Sequence, residues 1–136
     1  MQTNISHIQF NVQPGNMPFY TDLMALLGWR TIYADANMLG VAGKGDGSLW
    51  FAGQVKEVGN DYDGPGMNHL GFGAESQADV DAVAEFLKQR GVPWLFETPR
   101  HRPDFSRSED QTYYQVMFET PDRILIEVVY TGPKVA

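Results

Sequence analysis

The order strand, helix, strand, strand, strand is written twice along this chain, and that repetition limits its fold more than any other feature. Residues 5–12 alternate, with Ile8, Phe10 and Val12 on one face and His7, Gln9 and Asn11 on the other, the period of two that marks a strand. After a Pro14-Gly15 break, residues 17–27 carry Phe19, Tyr20, Leu23, Leu26 and Leu27 at helical spacing, with Gly28 placed as a stop. Short strands are expected at 29–34, 38–42 and 48–52, separated by Asp35-Ala36-Asn37 and Lys44-Gly45-Asp46-Gly47, which have turn chemistry. Residues 54–66 are polar and glycine-rich, end in Pro65-Gly66 and read as a connector. The order then restarts. A strand at 67–73 carries His69, and a helix at 76–90 has Ser76 as N-cap, Asp79 at the capping-box position, a stripe of Val80, Val83, Phe86 and Leu87, and Gly91 as stop. Strands at 94–97, 113–119 and 124–130 complete the chain.

Each half thus reads βαβββ, giving one α+β domain over residues 1–136 with module 1 at about 5–53, the connector at 54–66 and module 2 at about 67–131. His7 and His69 hold the same place in their strands, and Gly28-Trp29 matches Gly91-Val92 after the two helices. Neither half alone covers both faces of its sheet, so the expected arrangement is one curved surface with the helices outside.

Several functions are disfavoured by composition. The chain has no cysteine, which removes disulfides, thiolate ligands and cysteine nucleophiles and leaves His, Asp and Glu as the strong metal ligands. A net charge of -7 without any Lys/Arg stripe argues against nucleic-acid and anionic-membrane partners, since both demand clustered cations. No apolar stretch approaches the roughly 20 residues of a membrane span, and the first residues lack the basic and apolar regions of a signal peptide. A soluble, cytoplasmic protein acting on small molecules is the expectation.

Glu127 places a carboxylate inside the apolar run Ile124-Leu125-Ile126-Glu127-Val128-Val129-Tyr130, which reads as a strand covered on both faces. An unpaired ion there would cost several kcal/mol. Its compensation is a proton, a cationic side chain such as Arg123 or Arg30, or a metal ion. A lone histidine on a strand is more often a hydrogen-bonded structural residue than a ligand. His7 and His69, however, occupy equivalent strands, and with Glu127 they supply two imidazoles and one carboxylate. That set binds a divalent first-row ion and leaves coordination positions open.

His7 in Ile5-Ser6-His7-Ile8, the stretch from Phe19-Tyr20 through Leu27-Gly28-Trp29, His69 in Met67-Asn68-His69-Leu70-Gly71-Phe72, and Thr120-Pro121-Asp122-Arg123-Ile124-Leu125-Ile126-Glu127 together resemble the vicinal oxygen chelate superfamily. Glyoxalase I, the bleomycin- and fosfomycin-resistance proteins and the extradiol dioxygenases belong to it. The resemblance runs from about Ser6 to Val129 and implies paired βαβββ modules forming a half-open mixed β-barrel, often in a homodimer. It also implies one divalent metal ion (Zn, Fe, Mn, Ni or Co) at the positions of His7, His69 and Glu127, and lyase or dioxygenase chemistry on a small-molecule substrate. Two departures stand out. Arg123 replaces the glycine of the usual Asp-Pro-Asp-Gly hairpin, and Trp50 stands where glyoxalase I carries a glutamate ligand, which disfavours a genuine glyoxalase I. The competing expectation is a metal-free dimeric antibiotic-binding protein.

Around this triad, Tyr113 and Tyr114 point to opposite faces of one strand, so one of them is expected to face the cavity, Tyr113 as a phenol that donates a proton or Tyr114 as one that positions substrate; a half-buried core tyrosine is the plainer role for either. Gln9 and Gln115 are candidates for the cavity floor, and Trp50 for a wall. A polar loop is expected over 98–111, with Arg100, Arg102 and Arg107 available to a substrate anion and His101 as an acid or base. Such charges are more often simply solvated.

Overall fold

A computed structural model describes residues 1–45, 47–53 and 55–135. The expected turn at Asp46 and the first connector residue, Gln54, therefore lie outside the described residues. The chain divides into two compact units, Met1–Gly59 and Asn60–Ala136. The first holds β1 (His7–Asn11), α1 (Met17–Leu26), β2 (Arg30–Ala34), β3 (Met38–Ala42) and β4 (Ser48–Ala52), and the second holds β5 (Leu70–Ala74), α2 (Gln77–Gln89), β6 (Leu95–His101), β7 (Gln111–Glu119) and β8 (Leu125–Pro133). Short 3-10 turns at Pro14–Asn16 and Pro103–Phe105 complete the elements. Each unit is βαβββ around a four-stranded mixed sheet, ordered β1-β4-β3-β2 in one and β5-β8-β7-β6 in the other. In both, the first strand runs parallel to the last and the other pairings are antiparallel.

The two helices stop by the same device. After α1, the Trp29 and Gly28 amides donate to Met24 and Ala25 carbonyls; after α2, those of Val92 and Gly91 donate to Leu87 and Lys88. Gly28 and Gly91 both have positive φ, 81° and 70°, as this motif requires. The repeat seen in the sequence as Gly28-Trp29 and Gly91-Val92 is thus a repeated backbone conformation. At the start of α2, Ser76 accepts a 3.1 Å bond from the Asp79 amide.

One face of each sheet is covered by that unit's helix. In the first unit Tyr20, Leu23 and Met24 of α1 are buried with Phe10, Leu39 and Phe51, and the Tyr20 and Phe51 rings lie 4.7 Å apart. The buried stripe of α1 is Met17, Tyr20, Leu23 and Met24; Leu26, expected in it, is exposed because it lies on the opposite side of the helix. In the second unit Val80, Val83, Ala84 and Leu87 of α2 are buried with Phe72, Val116, Phe118, Ile126 and Val128.

β6 departs most from the expected pattern. It runs on to His101, so the segment after residue 97 is strand first and loop only from residue 102. The register breaks between Leu95, which pairs with Met117, and Arg100, which pairs with Gln115. Phe96 and Glu97 bulge out there with φ of 55° and 60°. The Thr98 hydroxyl spans the break, donating to the Leu95 carbonyl at 2.7 Å and accepting the Met117 amide at 2.9 Å. Among the described residues no helix is long and apolar enough to cross a membrane.

Candidate functional site

β5 and β8 are neighbours, with Gly71 opposite Glu127, so the residue preceding β5, His69, comes beside the Glu127 side chain. His69 Nε2 lies 3.1 Å from Glu127 Oε2. Glu127 is 5% exposed, whereas the His69 side chain is 37% exposed. The other Glu127 oxygen, Oε1, accepts a 2.5 Å bond from the Tyr113 hydroxyl. Burial, followed by this bond and the adjacent negative charge, pushes the Tyr113 phenol up to about 12, and the nearby Arg102 charge pulls the other way. Tyr113 therefore keeps its proton and donates it.

The tautomer of His69 follows from its neighbours. Asn68 Nδ2 donates to the Tyr62 carbonyl at 3.1 Å, so Asn68 Oδ1 is the atom 2.7 Å from His69 Nδ1. An amide oxygen only accepts, so Nδ1 donates to it, and Nε2 meets the carboxylate either as a lone pair or as a second N–H. Nε2 faces a carboxylate oxygen. Two acceptors directed at each other repel unless a second proton or a cation lies between them. The 3.1 Å separation is also what two ligands of one ion, each about 2.1 Å from it, would show. Asn68 and Tyr113 orient these donors as outer-shell partners orient metal ligands. His69 and Glu127 therefore fit a divalent ion in chemistry, spacing and support.

His7 lies in the first unit at the start of β1, exposed, with its Nδ1 3.1 Å from Ser6 Oγ. Among the described residues no three His, Asp or Glu side chains gather into a group able to hold a metal. Gln9 bonds Asn11 at 3.2 Å on the exposed side of β1. The Trp50 indole donates to Ser48 Oγ at 2.8 Å and lies over Gly40, where a Cβ would come within 2.5 Å of the ring. The register sharpens one point. Gln9 pairs with Trp50 in the first unit as Gly71 pairs with Glu127 in the second, so Trp50 holds the place of Glu127 in its own module.

A cavity of about 750 Å³ opens beside His69 and Glu127, lined entirely by the second unit. Tyr113, Gln115 and Met117 of β7 line it, as do Arg100 and Arg102. Tyr114 points the other way and donates to Asp81 of α2 at 2.6 Å. His101 Nδ1 lies 2.6 Å from the Thr112 hydroxyl and is not among the cavity residues. Sequence reasoning passed over Asn68, Tyr62, Phe96 and Phe105, all of which line this space. An amide next to a candidate ligand was a signal for Asn68, and one ring in an otherwise polar loop was a signal for Phe105. Phe96 had none, because only the bulge turns it there.

This chain belongs to the glyoxalase/bleomycin resistance protein/dioxygenase superfamily, whose family model matches residues 5–128. It is similar to a candidate glyoxalase from Bacillus halodurans, with 27% identity, coverage of 95% of this chain and 96% of that one, and a TM-score of 0.76. It shares the fold of the fosfomycin resistance protein FosX from Listeria monocytogenes, crystallised with Mn(II) and sulfate, at 20% identity, 96% and 91% coverage and a TM-score of 0.66. A mutant of that protein has been crystallised with Mn(II) and 1S,2S-dihydroxypropylphosphonic acid. The uncharacterized protein YqjT of Bacillus subtilis (strain 168) is 41% identical over 64 residues; the match spans 47% of this chain and about half, 46%, of that relative.

Proposed function

We propose that this chain is a metal-dependent enzyme of the superfamily, of lyase or dioxygenase type, in which His69 and Glu127, with His7 as the third ligand, hold one divalent ion. The observation that carries this reading is that His69 Nε2 and Glu127 Oε2 face each other 3.1 Å apart, the spacing of two ligands of one ion. When bound, the ion would chelate two neighbouring oxygens of a small-molecule substrate and act as a Lewis acid towards them. The chain's own contributions are separate. Asn68 fixes the tautomer of His69, and Tyr113 holds its proton on Glu127 Oε1, which leaves Oε2 as the ligating oxygen. Trp50 in the register position of Glu127 weighs against glyoxalase I, because an indole supplies no fourth ligand. Among Zn, Fe, Mn, Ni and Co, Mn(II) is the first ion to try. A cytoplasmic homodimer is part of the proposal.

A metal-free antibiotic-binding protein is the second reading. It is favoured by the lack of a three-donor group among the described residues. Metal analysis of purified protein, followed by Mn(II) titration calorimetry after chelation, separates the two. Wild type should bind one ion per chain, and Glu127→Gln, which retains an oxygen for Tyr113, should weaken binding by at least about tenfold. Equal affinity in the two proteins, or no ion bound by wild type, would leave the second reading standing.

A further inference from the structure

The cavity has polar and apolar features that the metal reading does not use. Gln115 is 3% exposed and lies on the cavity face of β7 with Tyr113 and Met117. Among the described residues its amide forms no side-chain hydrogen bond. No wholly enclosed side-chain nitrogen or oxygen there lacks a partner, so the amide opens onto the cavity. It offers one donor and one acceptor position to a ligand.

The two arginines differ. Arg100 is bonded to Glu97 at 3.1 Å, so its charge is already matched. Arg102 is held beside β7 by its amide's 2.7 Å bond to the Tyr113 carbonyl, and its guanidinium lies 5.4 Å from the Phe105 ring centre. Among the described residues it has no carboxylate partner. One unmatched cation balances one negative charge, and its planar fork suits a carboxylate.

Apolar surface lies alongside. Phe96 and Phe105 are 52% and 57% exposed although both line the cavity, and Leu125 and Met117 add to the wall. A space of about 750 Å³ is of the size that encloses a drug-sized molecule, far more than a three-carbon acid fills.

We propose that the substrate is a monocarboxylate with an aromatic or similarly bulky apolar body, its carboxylate on Arg102, its body against Phe96 and Phe105, and a neutral polar group on Gln115. This narrows the metal-dependent reading and rests on the same cavity.

Calorimetry on the full chain tests it with four probes: 3-phenyllactate, its primary amide, lactate and 1,2-dihydroxypropylphosphonate. Each is titrated into chelator-treated protein and again with Mn(II). In chelator-treated protein phenyllactate should bind about tenfold tighter than each of the other three, the scale of one charge-assisted contact or one buried ring. Arg102→Gln should abolish the preference for acid over amide while leaving the amide's affinity unchanged, and Arg102→Lys should restore part of it. Phe105→Ala should weaken phenyllactate and leave lactate alone. Equal binding of acid and amide, equal binding of lactate or the phosphonate and phenyllactate, or no phenyllactate binding at millimolar concentration overturns the proposal. Mn(II) titrated without any organic probe reads the metal centre separately. Ion binding with no acid preference removes only the substrate class, and acid preference with no ion binding removes only the metal.

Discussion

A single hydroxyl, that of Thr98, holds the bend that brings Phe96 and Glu97 to the cavity. Both residues sit in the left-handed region without being glycine, at about 1–2 kcal/mol each. Thr98 is 5% exposed and replaces the strand bonds the bulge interrupts. Thr98→Val keeps the shape and removes the hydroxyl, leaving the Met117 amide unbonded. Urea denaturation should show a loss of about 1–3 kcal/mol, which Thr98→Ser should largely recover. A Val variant as stable as wild type would mean the bulge is held by something else. Arg123 adopts φ 57° in the hairpin before β8, a conformation that glycine takes most readily. Its guanidinium lies 3.8 Å from Glu119 and 5.8 Å from the Tyr62 ring centre, and Tyr62 in turn bonds Glu119. Each exposed contact is worth at most about 1 kcal/mol, so together they roughly offset the backbone strain.

β7 is the element that divides chemistry from packing. Its odd-numbered Tyr113, Gln115 and Met117 face the cavity, while Tyr114, Val116 and Phe118 face α2. The Tyr114 to Asp81 bond ties strand to helix, and burial first, then that bond and the Asp81 charge, push the Tyr114 phenol up to about 12. The consequence for stability has a definite sign. Below about pH 10 the phenol is protonated in both folded and unfolded chains, and its contribution is complete. As pH rises from about 10 towards 12 the unfolded chain ionises first, and the contribution is lost. Wild type should therefore lose more stability than Tyr114→Phe between pH 9 and pH 12 (about the window of the shift) in thermal or urea melts. Parallel curves for the two proteins would show that the bond does not couple to folding.

At the scale of the whole molecule, two units of one topology differ in what they place at equivalent points: Trp50 over Gly40 in the first, Glu127 beside His69 in the second. His69 and Glu127, the two proposed donors that meet, belong to the second unit, and His7, the proposed third, belongs to the first. Large apolar side chains remain exposed in both units, Leu26, Ile32 and Tyr33 in one and Met67 and Trp94 in the other, and the proposed homodimer is tested directly by mass. Sedimentation of the Mn(II)-loaded protein should give twice the 15.2 kDa chain mass. His7→Ala should weaken the ion with no change in the fold seen by circular dichroism. A monomer at all concentrations would remove the dimer, and unchanged affinity would remove His7.

The amino-acid order alone determined the βαβββ repeat, because alternation, helical stripes and the Gly28 and Gly91 stops are local properties, each written in neighbouring residues. It also singled out Glu127, since a charge amid Ile126 and Val128 is conspicuous without any partner in view. Tertiary structure decided which side chains meet. The pairing of β5 with β8 set His69 against Glu127, Asn68 chose the tautomer, and the Thr98-bridged bulge in β6 turned Phe96 to the cavity where uniform alternation placed only a short strand. Those outcomes depend on register between segments distant in the chain, and strand register follows from long-range hydrogen bonds that no single segment encodes.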